Sequence, residues 1–193
     1  MGCPIRTLSA GIDYDCANSN AAIGSDKILE IVQHSYIDLA QTLPGDNSNT
    51  ESDNTNGNEG GLTKVFLETG GAAATYNFVG TDYSVMPFAT QEIKEDGDSW
   101  WVHGVTFTAY SKDSKTRNIL EELTATRVVA IVTDRSTGLK EIFGLELGLK
   151  AVTIEREYLG SQNSNFYKVT LQTEDIGIIR ENGIPKLTHD VAE

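Results

Sequence analysis

The sequence lacks the features that mark membrane and secreted proteins. No apolar run approaches the ~20 residues that a membrane-spanning helix requires. The first residues also lack the charged-then-apolar pattern of a secretory signal peptide. Cys3 and Cys16 are the only cysteines, which is too few for a disulfide framework. We therefore predict free thiols in a reducing compartment and no membrane partner.

The chain is also short of basic residues. It carries 15 lysines and arginines against 28 acidic residues, a formal net charge of −13. Tight nucleic-acid binding depends on lysine and arginine contacts to phosphates. The composition therefore argues against a nucleic-acid-binding function and predicts that the protein repels polyanions.

Catalytic and metal-binding motifs are missing as well. The three histidines, His34, His103 and His189, show no spacing typical of a metal site. The serine-hydrolase, Walker and dinucleotide-binding patterns do not occur. The glycine-rich stretch 70–80 precedes a strand, so we do not interpret it as a phosphate-binding loop. The sequence predicts no catalytic, cofactor-binding or metal-ligating residue and no cofactor.

Two clusters of acidic residues are candidate sites, and we interpret both as solvated segments. The first is Asp13 and Asp15 beside Cys16, in a segment without periodicity. The second lies at a predicted hairpin tip and consists of Glu92, Glu95, Asp96 and Asp98. The adjacent Trp100 and Trp101 must point to opposite faces of a strand. One should be in the core, and the other either lies under the helix or forms a subunit contact.

The chain divides into a central domain and two arms. Residues 1–26 read as an irregular N-terminal arm whose few apolar residues need a groove in which to be buried. With 193 residues and 39% hydrophobic content, the whole chain has the length and composition for one folded domain, which we place at residues 27–175, and residues 176–193 read as a C-terminal arm. The biased segment 44–61 predicts a long flexible loop, and its acids lack the spacing of a calcium-binding loop.

Within the domain, short strands are separated by turn signals. We predict nine or ten strands, which favours a mainly β fold of two packed antiparallel sheets, a β-sandwich or barrel. The break near His34 divides the strand region 27–39, and Pro87 places strand 83–95 at an edge or a bulge. Residues 113–126 form the only predicted helix, with Ile119, Leu120 and Leu123 as its apolar stripe.

Two segments resemble the tail tube (major tail) protein family of tailed bacteriophages, in particular those of phages and prophages of Bacteroides-like hosts. The first segment is GIDYDCANSNAAIGSDKILEIVQHSYID, with Ala22-Ile23-Gly24 where the family usually has a Gly-Gly pair. The second runs from His103 to Tyr158, where a strand, a helix, the VVAIV strand, a hairpin and a final strand follow one another. Together they cover a little over half of the chain.

The resemblance implies a virion structural protein without enzymatic activity, assembled in the host bacterial cytoplasm. Six copies would form a ring, and stacked rings would form a conduit through which the genome passes without specific binding. The partners would be other copies, through both arms, loop 44–61 and sheet edges, and other tail or neck proteins. An acidic chain suits such a conduit, because like charge keeps DNA from adhering.

Two other classes remain open at the level of sequence. A ring-forming terminator or connector would share the same β-rich core. A monomeric β-sandwich binding module would need an exposed aromatic platform, for which the candidates are Trp100, Trp101, Tyr83 and Tyr110.

Overall fold

The computed structural model describes nine segments of the chain: residues 25–43, 62–67, 75–79, 84–93, 99–109, 114–135, 138–158, 165–173 and 186–192. They contain ten strands and two helices. The strands are β1 (Ser25–Gln33), β2 (Leu62–Phe66), β3 (Thr75–Val79), β4 (Val85–Ile93), β5 (Ser99–Ala109), β6 (Val128–Asp134), β7 (Lys140–Phe143), β8 (Leu149–Tyr158), β9 (Asn165–Thr173) and β10 (Lys186–Ala192). The helices are α1 (Leu39–Thr42) and α2 (Ser114–Ala125), and a 3₁₀ turn spans His34–Tyr36.

The mainly β fold predicted from the sequence is confirmed. All ten strands belong to one hydrogen-bonded network with two parts. A six-strand layer has the order β3-β1-β6-β7-β10-β2, and a four-strand layer has the order β8-β9-β5-β4. A single ladder pair, Val128 with Leu149, joins the layers. Every pairing is antiparallel except that of β10 with β2, so the two packed layers are one continuous sheet.

The apolar strand β6 forms the centre of the molecule because both of its faces are buried. Val128, Ala130 and Val132 belong to an inner core between the layers. Val129 and Ile131 point the opposite way, into an outer core on the far side of the six-strand layer. Side chains alternate along a strand, so the five consecutive apolar residues at the start of β6, VVAIV, require cover on both faces.

The inner core closes against α2. Leu120 and Leu123 of this helix are buried with Val105, Phe107 and Val169 of the four-strand layer. The predicted helix 113–126 is confirmed within a residue at each end, with the expected stripe, although Ile119 is only half-buried.

Alternation along β5 predicts that Trp101, His103, Val105, Phe107 and Ala109 share one face. Val105 and Phe107 of this face belong to the inner core and Ala109 packs against it. Trp101 is only half-buried, whereas Trp100 on the opposite face is buried.

The outer core lies beneath the segment that follows β1. The predicted break at His34 is confirmed, but the strand prediction for residues 35–39 is wrong beyond the isolated bridge at Ile37. The Asp38 side chain accepts a hydrogen bond from the Gln41 N–H at 3.0 Å and so caps α1. This short helix was not predicted because four residues cannot display a helical period.

The boundaries of both arms require correction. Residues 25 and 26, placed in the N-terminal arm, begin β1. Residues 186–192, placed in an irregular C-terminal arm, form β10 between β2 and β7. The pairing of β10 with strands that lie far away in sequence supplies order that its own composition does not suggest.

Alternation along β8 predicts that Val152, Ile154 and Arg156 share one face, and this prediction is wrong at Val152. The ladder shifts between Ala151 and Thr153, so Val152 is the extra residue of a β-bulge and is exposed. Ala151 and Ile154 therefore both pack against the inner core. A strict period of two places Val152 on the face of Ile154, and one additional residue breaks that period.

Several predictions fall on residues outside the described segments. These are the arm over 1–24, the loop 44–61, the hairpin turn 95–98 and the arm over 176–185. Among the helices described, none is long and apolar enough to cross a membrane.

Candidate interaction surface

The side chains of His34 and His103 do not form a site, and each makes hydrogen bonds with backbone groups. His34 lies in the 3₁₀ turn, where its Nε2 is 3.1 Å from the carbonyl oxygens of both Leu145 and Glu146. Because carbonyl oxygens only accept, Nε2 must carry the proton. The His34 N–H also donates to the Arg127 carbonyl at 2.9 Å, and the Arg127 guanidinium donates to the Leu147 carbonyl at 2.7 Å. This pair therefore fixes the turn between β7 and β8.

His103 lies in the middle of β5 and is a core residue. It is buried, and its Nδ1 accepts a hydrogen bond from the Gly144 N–H at 3.3 Å. Its ring meets Phe143 edge-on at a centroid distance of 6.2 Å. His103 thus connects β5 of the four-strand layer to the end of β7 in the six-strand layer.

The remaining candidates do not assemble into a site. Trp100 is buried and Trp101 half-buried, so they do not form the exposed platform of a binding module. Tyr83, Tyr110 and the clusters at 13–16 and 95–98 lie outside the described segments, and for Glu92 and His189 only the backbone is described. Where the structure describes the chain, no group of three potential metal ligands occurs.

The sheet edges are the remaining candidate surfaces, because an open edge is a template for pairing with another chain. The edge of β2 is closed by the segment that covers the outer core. The Asp38 N–H donates to the Phe66 carbonyl at 3.0 Å, and the Phe66 N–H donates to the Thr42 hydroxyl at 3.1 Å. Lys64 lies on the same strand, and edge lysines discourage strand addition.

The two edges of the four-strand layer also carry features that discourage pairing with another strand, and we call such an edge guarded. Within the described segments β4 pairs only with β5, and its Pro87 removes one backbone donor. The edge of β8 beyond Leu149 carries the bulge at Val152 and the exposed charges of Glu155 and Arg156. Bulges, prolines and charges are devices that prevent edge-to-edge pairing.

The edge of β3 has none of these devices. Its sequence, TYNFV, contains no charge and no proline. Its ladder with β1 runs from Val79 to Thr75 without a register shift, and β1 is its only partner in the described part of the chain. Of the four sheet edges described, that of β3 alone is unguarded.

Exposed apolar side chains concentrate on the same strand. Among the described residues, four large apolar side chains are exposed, and two of them are on β3: Tyr76 at 56% and Val79 at 65%. Tyr76 pairs with Ile31 of the inner core, so it lies on the inner face, and Val79 lies on the outer face. Both faces of this edge therefore present apolar surface to solvent.

A groove of about 660 Å³ runs along the inner face of β3. Its walls are the edge of the six-strand layer, the end of β5 and helix α2. The Phe78 ring meets Phe107 of β5 edge-on at 5.3 Å and forms part of this wall. The apolar lining residues include Ile31, Tyr76, Phe78, Phe107, Ile119 and Leu123.

The charges of the groove are confined to the exposed side chains of α2. Lys115 and Glu122 line it as one cation and one anion, so these two give it no strong sign of charge. The remaining polar lining residues described are neutral, for example Asn77 and Thr108. An apolar groove with neutral polar groups suits an uncharged occupant better than a charged one.

We name the unguarded edge of β3 and this groove together the β3 acceptor surface. The sequence predicts only a glycine-rich stretch followed by a strand at residues 70–80, without a phosphate-binding loop, and gives no sign of a binding surface there. The lack of a charge or proline in TYNFV could have marked an unguarded edge. The groove could not be found in this way, because it forms only where β3, β5 and α2 meet.

No protein-family model, no curated protein and no solved structure matches this chain.

Proposed function

We propose that this protein is a virion structural protein, the tail tube subunit of a tailed bacteriophage. Copies assemble into rings, and the rings stack into the conduit for the genome. The observation that carries the proposal is the β3 acceptor surface: an unguarded strand edge with Tyr76 and Val79 exposed beside an apolar groove. Monomeric proteins guard such edges, whereas subunits of assemblies use them.

The order of elements supports the same function. Between His103 and Tyr158 the chain runs through β5, α2, β6, β7 and β8, which is the order of the segment that resembles the tail tube family. In this arrangement α2 closes the inner core and β7 leads through a turn into β8. These elements provide a rigid scaffold that leaves its surfaces available for assembly.

The position of the unguarded edge is compatible with ring formation. The β3 edge lies at one end of the six-strand layer, and the other end, β2, is covered at Phe66 by Asp38 and Thr42. An isologous contact would bury the edge in a dimer, whereas a contact with a different surface of the next copy is heterologous and gives a ring where its rotation closes. We propose the second arrangement, with six copies as the resemblance implies.

The charge of the chain supports a conduit. At a net charge of −13, the subunit offers no general attraction to a polyanion, so DNA passes without specific binding. The proposed partners are other copies and the neighbouring tail and neck proteins. The proposed location is the tail of the virion, after assembly in the host cytoplasm.

The test places a charge on the β3 edge. In Val79→Lys the new ammonium group guards the strand, and we expect rings and tubes to be lost. Since Val79 is 65% exposed, the free energy of unfolding should change by less than about 0.5 kcal/mol. Negative-stain electron microscopy and mass photometry over a concentration series measure the assembly, and the ring mass gives the symmetry.

Val152→Lys is the matched control, because the same substitution falls on a valine that is 51% exposed at the β8 bulge. It should assemble like the unmodified protein. Single rings that never stack would instead indicate a terminator or connector. A monomer at every concentration would contradict the tube function and favour a binding module.

A further inference from the structure

We propose that the groove beside β3 binds a small, uncharged aromatic molecule that carries one hydrogen-bonding group. The ring of this molecule lies between the aromatic side chains of β3 and the aliphatic side chains of α2. Its polar group bonds to the hydroxyl of Ser84, which also lines the groove. The inference concerns a single subunit, and it does not depend on whether copies of the chain assemble.

Ser84 carries a buried hydroxyl group that lacks a partner. The residue is 5% exposed, and its Oγ makes no hydrogen bond in the part of the chain that the structure describes. Only its backbone is engaged, since its carbonyl oxygen accepts from the Thr108 N–H at 3.0 Å. A buried hydroxyl without a partner costs free energy, so native structures supply one from the protein, from water or from a ligand. We assign that role at Ser84 to a ligand.

The groove is the open space next to this residue. Ser84 and Thr108 both line it, beside Phe107 at the end of β5. A serine side chain has three staggered positions about χ1, so Oγ can turn towards a bound molecule without movement of the backbone. A hydroxyl both donates and accepts hydrogen bonds, so either kind of polar group on the ligand satisfies it.

The walls of the groove suit a flat ring. Tyr76 and Phe78 lie two residues apart on the inner face of β3. Ile119 and Leu123 lie one helical turn apart on the wall formed by α2. Phe78 already meets Phe107 edge-on with ring centroids 5.3 Å apart, and a third ring can extend this favourable edge-to-face packing. The volume of about 660 Å³ is within the range of small-molecule sites.

The charges at the groove disfavour an ion as its occupant. Lys115 and Glu122 line the groove with opposite charges, and both side chains are exposed on α2. An ionised molecule would be attracted by one of them and repelled by the other, and it would lose hydration in an apolar groove. An uncharged molecule meets neither cost.

Two molecules of the same shape test the proposal. Indole and indene are both flat bicyclic molecules, but only indole carries a polar N–H. Ligand-observed NMR titrations measure the Kd of each at a protein concentration at which sedimentation velocity shows a single subunit. We expect both to bind saturably, indole with a Kd below about 1 mM.

Ser84→Ala removes the hydroxyl and leaves the walls of the groove intact. We expect the Kd of indole to rise about 3- to 10-fold because one hydrogen bond is lost, and that of indene to change less than about twofold. Thr153→Ala is the control, since it removes an exposed hydroxyl from β8 outside the groove, and it should change neither Kd. An equal effect of Ser84→Ala on both molecules, or no effect on either, would overturn the inference.

A second pair of variants locates the bound molecule. Ile119→Trp adds bulk inside the groove and should weaken the binding of both molecules at least about 10-fold. Arg117→Trp places the same side chain on the exposed face of α2 and should change either Kd less than about twofold. Circular dichroism checks that both variants keep the fold. Binding that survives Ile119→Trp unchanged would place the molecules elsewhere and contradict the inference.

Thermal denaturation without ligand gives an independent measurement. Ser84→Ala should not lower the midpoint, because the hydroxyl that it removes makes no hydrogen bond. A clear fall would show that Oγ already has a partner and would overturn the inference. Failure of both molecules to bind would overturn it as well and leave the proposed function intact. Failure of the unmodified protein to assemble at any concentration would instead overturn the proposed function and leave the ligand site intact.

Discussion

The two ends of the six-strand layer are built in opposite ways. At the β2 end, the Phe66 N–H and C=O both find partners in the segment 38–42. At the β3 end, a strand without charge or proline leaves Tyr76 and Val79 in solvent. One sheet thus closes one edge with a dedicated segment and leaves the other ready to pair. The contrast is the basis for the proposal that the open edge serves assembly.

The largest expected effect is a loss of unfolding free energy at the centre of this layer, where no such loss is expected at its open end. Ile131 is 0% exposed in the outer core, so Ile131→Ala should lower the free energy of unfolding by about 2–5 kcal/mol. Val79→Ala at the open end should change it by less than about 0.5 kcal/mol. Urea denaturation measures both. A large loss for Val79→Ala would mean that the edge stabilises the monomer.

A smaller effect should follow from breaking the closed end. Thr42 is fully buried, and Thr42→Val keeps its shape but leaves the Phe66 N–H without its acceptor. We expect a loss of about 1–3 kcal/mol in unfolding free energy and new, irregular association through β2. Light scattering and denaturation measure the two consequences.

Thr124→Val is the control for Thr42→Val, because that hydroxyl donates to the Glu121 carbonyl on the exposed face of α2. Its effect should stay within about 0.5 kcal/mol. If Thr42→Val leaves both stability and association unchanged, the closed end does not depend on this contact.

The smallest effect concerns the charge of Glu141, which lies on β7 in the six-strand layer. Burial, and then the nearby Asp134 carboxylate, raise the pKa of Glu141 above its ordinary 4.5. A raised folded-state pKa gives stability that is fully present below the unfolded pKa and lost as pH rises through the folded pKa. Glu141→Gln should therefore raise the unfolding free energy at pH 7.

That gain should shrink as pH falls through the raised pKa of Glu141 towards 4.5. Thermal denaturation from pH 7 to pH 4 measures it. Glu121→Gln on the exposed face of α2 is the matched loss of one negative charge. A gain for Glu141→Gln that is constant over this range would contradict a burial effect.

The sequence predicted those elements whose cause is local. Strand β6 follows from a run of apolar residues, α2 from its stripe of Ile119, Leu120 and Leu123, and the break after β1 from the residues around His34. The placement of Pro87 on an edge strand also follows from one residue, because proline cannot donate to a ladder.

The remaining features depend on partners far away in the chain. Residues 186–192 form strand β10 because they pair with two distant strands, for example through Thr188 with both Leu62 and Lys140. The exposure of Val152 comes from a bulge opposite Leu171 and Thr170. The β3 acceptor surface requires three separate elements to meet, so no local window of sequence contains it.

The position of β10 between β2 and β7 also bears on how the six-strand layer folds. Seven strands lie between β2 and β10 in the chain, yet β10 is the only ladder neighbour of β2 in the described residues. Contacts of such long sequence separation form slowly. Strands β2 and β7 therefore each keep one open edge until β10 inserts between them, and open edges of this kind make a folding intermediate prone to aggregation.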